Sequence, residues 1–163
     1  MITAWRLVKP RHAAEAFDGE GARLHGGRWN SPGTRVAYAS DSIALAVLEV
    51  LAHLQSTAVL QAYSLVSIRF PEESVELLET RSLPAGWRRF PSPPGNQALG
   101  DQWVVAGRSL ILQVPSAIIP AAANFLINPS HPEFRKVVIG RPERFAFDPR
   151  LLSGGEAGKR GGG

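Results

Sequence analysis

The stretch from Ser42 to Leu54, SIALAVLEVLAHL, limits the fold of this chain more than any other segment. Ile43, Val47, Val50, Leu51 and Leu54 recur at helical spacing, while Leu45, Leu48, Ala44, Ala46 and Ala52 leave little polar surface elsewhere. A helix apolar nearly all round has to be covered, so the spacing predicts a buried helix at the centre of a layered domain. Ser40, Asp41 and Ser42 supply the short side-chain oxygens that cap free N–H groups of a first turn. In the middle of this apolar surface stands Glu49. An unpaired buried carboxylate is costly, which leaves two readings: an ion pair with an arginine, or a carboxylate facing a ligand cleft where positive charge develops.

Around that helix, strands are predicted at Thr3–Val8, Arg35–Ala39 and Leu110–Val114 and a long one at Val59–Phe70; Ala122–Ile127 and Lys136–Ile139 complete the apolar segments, with Phe145–Phe147 as a short edge. A second, amphipathic helix is predicted over Asn96–Ser109, with Leu99, Trp103, Ala106 and Leu110 on one face. Pro84, Pro91, Pro93 and Pro94 mark a surface loop before it. The sum is one α+β domain over residues 1–150, with short strands and long loops. The stretch from Ser153, SGGEAGKRGGG, cannot build a core, and residues 151–163 are expected to be a disordered tail.

Composition removes several classes of function. With no cysteine there is no disulfide, no thiolate zinc site and no cysteine nucleophile. No apolar run is long enough for a signal peptide or a membrane span, so a cytoplasmic protein is expected. A net charge of +4 suits an anionic small molecule, an acidic protein or a nucleic acid. Its cations are scattered, with only Arg88–Arg89 and Lys159–Arg160 adjacent, which is poor patterning for nucleic acid. The histidines His12, His25, His53 and His131 make no HExxH run, so no metal is expected. His53 falls on the helix face of Glu49, as a satisfied, partly buried side chain.

Five glycines at 19, 21, 26, 27 and 33 surround GGRWN, Gly26 to Asn30. Such density suits a loop whose backbone approaches a ligand, and Arg28 offers a planar fork for phosphate; the plain alternative is a tight turn with a solvated Arg28 and a core Trp29. No GK[ST] follows and no strand–GxGxxG–helix context is present, so neither known nucleotide loop applies. Tyr38 ends the strand before the helix, either as packing or as a ring stacked on a planar heterocycle. Ser116 follows a strand without a GxSxG elbow, which argues against a nucleophilic serine. Asn124, Asn128 and Ser130 are expected in a polar loop between Pro120 and Pro132 that serves either as turns or as hydrogen-bonding groups for a ligand.

Taken in order, these pieces resemble one family. The order is W-R in the first strand, G-x-G-A…GGRWN, V-A-Y-A-S, A-L-A-V-L-E-V-L-A-H-L, L-P-x-G-W, G-D-Q-W, V-P-S and N-F-L-I-N-P-S-H-P-E-F, over about residues 3 to 150. This is similar to the RES domain, named for an arginine, a glutamate and a serine. The resemblance places the arginine at Arg28, the glutamate at Glu49, and the serine at Ser116 or Ser130, with Tyr38 in the same pocket. It implies an ADP-ribosyltransferase-like fold and a bacterial toxin that cleaves the nicotinamide–ribose bond of NAD⁺ by hydrolysis or phosphorolysis and so arrests growth. NAD⁺ is then substrate, and no cofactor is expected. Arg28 would grip phosphate, Tyr38 would stack on nicotinamide, Glu49 would stabilise the ribosyl cation, and Ser116 or Asn124 would bond ribose or amide. Gly27 and Trp29 are counted with them as substrate-binding. The implied partner is an Xre-type DNA-binding antitoxin, in a complex that admits a toxin homodimer. Two alternatives are a mono-ADP-ribosyltransferase acting on one cellular protein and a basic RNA-binding or RNA-cleaving toxin. In a third, an inert interaction module, Glu49 merely balances an arginine.

Overall fold

The computed structural model describes residues 1–54 and 62–151. Its elements are β1 (Ile2–Val8), α1 (Glu20–His25), β2 (Ala37–Ser40), α2 (Ile43–His53), β3 (Tyr63–Phe70), β4 (Val75–Leu77), α3 (Pro94–Ala106), β5 (Ile111–Pro115), β6 (Ala123–Ile127), β7 (Val138–Ile139) and β8 (Glu143–Phe145). All strands join one sheet in the order β4-β5-β6-β2-β1-β3-β7, with β8 also on β3. Among the described residues only the β4–β5 pair is parallel. The centre is an antiparallel run, with β1 on β3 from Ile2↔Phe70 to Val8↔Ser64 and β2 on β6 from Ala37↔Ile127 to Ser40↔Asn124. The fold is α+β, as the pattern of short apolar runs predicts.

Strand alternation divides the sheet into two chemically different faces. One face packs Ala4, Ala37, Ala39, Val66, Ile68, Phe70, Ile111, Phe125 and Ile127 with Phe17 into a continuous apolar layer. The other carries two separate cores. Trp29, Val36, Trp103, Leu112, Val114 and Leu126 form one under α3, and Leu7, Ala46, Tyr63 and Phe147 form the second under α2. The residues that point the same way as Leu112 and Leu126 but extend past them are polar: Ser116, Asn124, Ser40 and Tyr38. A polar strip thus runs along the two-core face.

Four expectations change in detail. α2 is not enclosed: Leu45 and Ala46 are buried, but Ile43 and Leu48 are 38% and 37% exposed, and Ala44, Ala52 and His53 lie in solvent. Periodicity describes which faces are apolar, not how many neighbours arrive to cover them. Within the glycine-rich loop the chain inserts α1, which Gly19 and Gly26 bound with φ of 75° and 73°. α3 begins at Pro94, because proline is welcome in a first turn, and stops before Gly107 in the left-handed region. Residues 55–61 and 152–163, including the predicted start of the strand at Val59 and the tail, lie outside the described residues. Phe147 does not extend an edge strand; its ring packs edge-on against Tyr63 at 5.3 Å.

Candidate active site

The three polar residues before α2 do three separate jobs. Ser42 caps the helix, its hydroxyl accepting the Leu45 N–H at 3.1 Å. Asp41 ties the junction to the start of β6: its N–H donates to the Ala123 carbonyl at 3.0 Å, and its carboxylate accepts the Ala123 N–H at 2.8 Å. Ser40 reaches the next residue of β6, donating from Oγ to Asn124 Oδ1 at 2.8 Å. The start of α2 is therefore registered against β6. Two turns on, Glu49 sits three and four residues beyond the buried Ala46 and Leu45, which turns its side chain toward the sheet.

There Glu49 Oε1 accepts two hydrogen bonds, from Asn124 Nδ2 at 2.6 Å and from Ser116 Oγ at 3.0 Å. Ser116 is fully buried and also accepts the N–H groups of Ile118 and Ile119 at 3.1 and 3.2 Å. A hydroxyl has two lone pairs and one proton, so with both lone pairs committed the proton has to go to Glu49. Glu49 Oε2 takes no hydrogen bond from the described residues. Nor is Glu49 in an ion pair among them, so the arginine-balancing reading does not describe this carboxylate.

Arg28 comes from the opposite side. Its Nη1 donates to the carbonyls of Trp87 and Arg89, each at 2.9 Å, and its own carbonyl accepts from Ser92 Oγ at 2.8 Å. The Nε and Nη2 edge of the fork has no protein partner among the described residues. Burial lowers the pKa of this guanidinium, while the nearby charges of Glu49 and Tyr38 work to raise it. That coupling puts Arg28 and Glu49 in one electrostatic environment. Arg28 is held to a rigid wall by one nitrogen, with the rest of its fork available.

Tyr38 pins the loop in between. Its hydroxyl donates to Asn30 Oδ1 at 2.6 Å and accepts the Trp29 N–H at 3.2 Å. Burial pushes its phenol pKa far above the usual value, so it is a neutral hydrogen-bonding group. Gly27 is required by this contact: a Cβ there would lie 2.8 Å from both the Tyr38 hydroxyl and Asn30 Oδ1.

Of the predicted site residues, Tyr38, Ser116 and Asn124 stand on the polar strip, Glu49 is bonded to Ser116 and Asn124 from α2, and Arg28 lies near enough to Glu49 and Tyr38 for their charges to act on its guanidinium. Ser130 is exposed in a turn, its N–H on Asn128 Oδ1, so the serine that reaches the glutamate is Ser116. Some expected roles change. Trp29 is only 2% exposed and stacks in the core 6.1 Å from Trp87, so its ring offers no surface to a ligand. Ser116 and Asn124, expected to bond substrate, each donate to Glu49. Asn124 lies inside β6, not in a loop. His53 is exposed rather than partly buried, with its ring on the Glu49 backbone carbonyl at 2.7 Å.

Sequence reasoning missed the residues that build the loop. Asn30 is fully buried and donates to the carbonyls of Ala22 and Thr34. From α3, Gln97 donates to the carbonyls of Gly27 and Asn30, and Asp101 accepts the Ser31 N–H at 2.9 Å. Their spacing, 97 and 101, is one helix face and was readable as such. Among the described residues no group of three or more metal-binding side chains comes together.

The sequence and the fold of this chain have counterparts. The RES domain family model matches residues 3–148. The chain belongs to the RES domain family. Among its RES relatives, Toxin Res of Yersinia enterocolitica is 37% identical over 148 residues, covering 90% of this chain and 97% of the relative. The Prs ADP-ribosylating toxin of a Sphingobium species is 37% identical over 153 residues, covering 91% and 95%. The fold is shared with a chain of the Mycobacterium tuberculosis MbcT–MbcA toxin–antitoxin complex, at a TM-score of 0.75 and 22% identity over 92% of this chain and 86% of that one.

Proposed function

We propose that this RES protein is the toxin of a toxin–antitoxin pair and that it breaks the bond between nicotinamide and ribose in NAD⁺. The observation that carries the reading is Glu49: a carboxylate on a largely apolar helix, bonded at Oε1 by two side chains from the sheet, with Oε2 taking no hydrogen bond from the described residues and the Arg28 guanidinium near enough to feel its charge. Relatives named as toxins, one of them ADP-ribosylating, support the same direction.

Cleavage of this bond passes through a transition state with positive charge on the ribose ring, as in glycoside hydrolysis. The bonding electron pair leaves with the pyridine nitrogen, whose charge it cancels, so the leaving group needs no acid. Water or phosphate then bonds to the ribose carbon and gives up a proton. The site has to supply negative charge near that carbon, a grip on pyrophosphate and a fixed ring orientation. Glu49 Oε2 supplies the charge and holds the ribose hydroxyls. The free edge of Arg28 takes phosphate, and the ring of Tyr38 walls the nicotinamide end. Ser116 and Asn124 act through Glu49.

The test is purified protein with labelled NAD⁺. The parent protein consumes it, and Glu49→Gln, which keeps shape and removes charge, lowers the rate at least ~100-fold, the scale of one removed electrostatic contact. Parent-like consumption by Glu49→Gln overturns the assignment. A second reading, transfer of ADP-ribose to a protein, is favoured by the Sphingobium relative's name. It requires label to move from NAD⁺ onto a protein of the cell extract. In a cell, such an activity needs an antitoxin bound to the folded toxin, and the resemblance favours one of the DNA-binding Xre type. No helix among the described residues is long and apolar enough to cross a membrane, and a cytoplasmic site of action is part of the same proposal.

A further inference from the structure

Ser40 is neither a RES hallmark nor in contact with the reacting groups, yet it is 4% exposed and hydrogen-bonded into the site. We infer that Ser40 is a positioning residue: its hydroxyl fixes the amide of Asn124 so that the N–H end, and not the carbonyl, meets Glu49. The inference rests on reading Glu49 as the carboxylate that faces the ribosyl cation.

The geometry is a relay across two strands and a helix. Ser40 and Asn124 are direct partners in the β2–β6 register, on the same face of the sheet. Ser40 Oγ donates to Asn124 Oδ1 at 2.8 Å, and Asn124 Nδ2 donates to Glu49 Oε1 at 2.6 Å. An asparagine amide has two orientations, and the other one sets its carbonyl oxygen against Glu49. Two acceptors face each other there unless the carboxyl carries a proton. Without the Ser40 hydroxyl, Asn124 Oδ1 has no partner among the described residues, and turning it toward a protonated Glu49 becomes the way to satisfy it. Ser116 cannot compensate, because its only proton is already on Oε1.

The other charged groups around Glu49 are held independently. Arg28 is anchored on the Trp87 and Arg89 carbonyls, and Asp41 on the Ala123 N–H. Arg88 donates to the Ala117 carbonyl beside Ser116, and His53 lies on the Glu49 backbone carbonyl. Tyr38, from β2, is held neutral by burial. Arg6 of β1 donates to the Tyr38 carbonyl from the other face of the sheet. Removing the Ser40 hydroxyl changes the partner of none of these.

The experiment is the pH dependence of kcat and KM for NAD⁺ in the parent, Ser40→Ala and Ser40→Cys, with thermal melts alongside. In Ser40→Ala the acid limb of kcat moves up by about one pH unit, a roughly tenfold loss of rate on that limb, while KM at the plateau stays unchanged. Ser40→Cys, near in size but a weak donor, shifts the same way by less. An acid limb that stays in place, whether kcat is unaltered or lowered equally at every pH, overturns the inference. If neither variant folds, Ser40 is a structural residue and the inference falls. A parent protein inert toward NAD⁺, or a fully active Glu49→Gln, sinks the underlying reading; active parent, inactive Glu49→Gln and an unshifted Ser40→Ala sink this inference alone.

Discussion

Tyr38 shows how one hydroxyl can hold a loop. Its phenol joins the buried Asn30 side chain to the Trp29 backbone, and its removal strands an acceptor and an N–H in a place that is poorly hydrated. Tyr38→Phe should cost about 1–3 kcal/mol of stability at neutral pH, measured by urea unfolding. The pH dependence has a definite sign. Burial raises the phenol pKa in the folded protein above its ordinary value near 10, so folding favours the neutral form. That contribution is intact below pH 10 and is lost as the pH rises, because only the unfolded chain then ionises freely. The stability gap between the parent and Tyr38→Phe should therefore narrow above pH 10; a gap of constant size would refute the account. The sequence left this tyrosine between packing and stacking on a heterocycle and gave no hint of its hydroxyl partners, which arrive from eight and nine residues upstream through a loop of irregular backbone.

Among the elements, α3 is the one whose purpose the sequence concealed. Its apolar face, with Leu99 and Trp103, was readable from spacing, and Trp103 is indeed buried. The adjoining face of Gln97, Gly100 and Asp101 grips the loop that carries Arg28. Gly100 allows the approach: a Cβ there would lie 1.6 Å from the Trp29 carbonyl oxygen and 2.8 Å from its carbon, and backbone cannot yield as a side-chain tip does. Gly100→Ala should destabilise by about 3 kcal/mol, at the upper end of overpacking, and abolish turnover even where the protein remains folded. Gly21→Ala in α1 has nothing within 4 Å of the new methyl, so it should leave activity alone and raise stability by about 0.5–1 kcal/mol. Equal behaviour of the two alanines, in melts and in NAD⁺ consumption, would refute the packing argument. α2 teaches the converse lesson: its apolar pattern was correct residue by residue, yet Ile43 and Leu48 remain partly in solvent because only one side of the helix meets the sheet.

At the scale of the molecule, the site depends on the order of strands. β2, β6 and β5 are neighbours, so Tyr38, Asn124 and Ser116 fall on one face of the sheet, within a few register positions of one another, although they lie far apart along the chain. These central strands are covered on both faces, whereas β4 and β7 close the edges with three and two residues. Amide hydrogen exchange should be slowest in β1, β2 and β6 and fastest in β4 and β7; protection greater at the edges would contradict this topology. The sequence by itself determined the periodic elements, the cap chemistry over Ser40 to Ser42, the absence of thiol chemistry and the ordered set of motifs that marks a RES domain, because those are local or compositional properties. Only the tertiary structure decided which serine meets Glu49, that Trp29 is core and not pocket, and that Ser40, Gln97 and Asp101 support the site. Those facts depend on which strand lies beside which and on hydrogen-bond geometry between distant segments, and spacing along a chain carries no record of either.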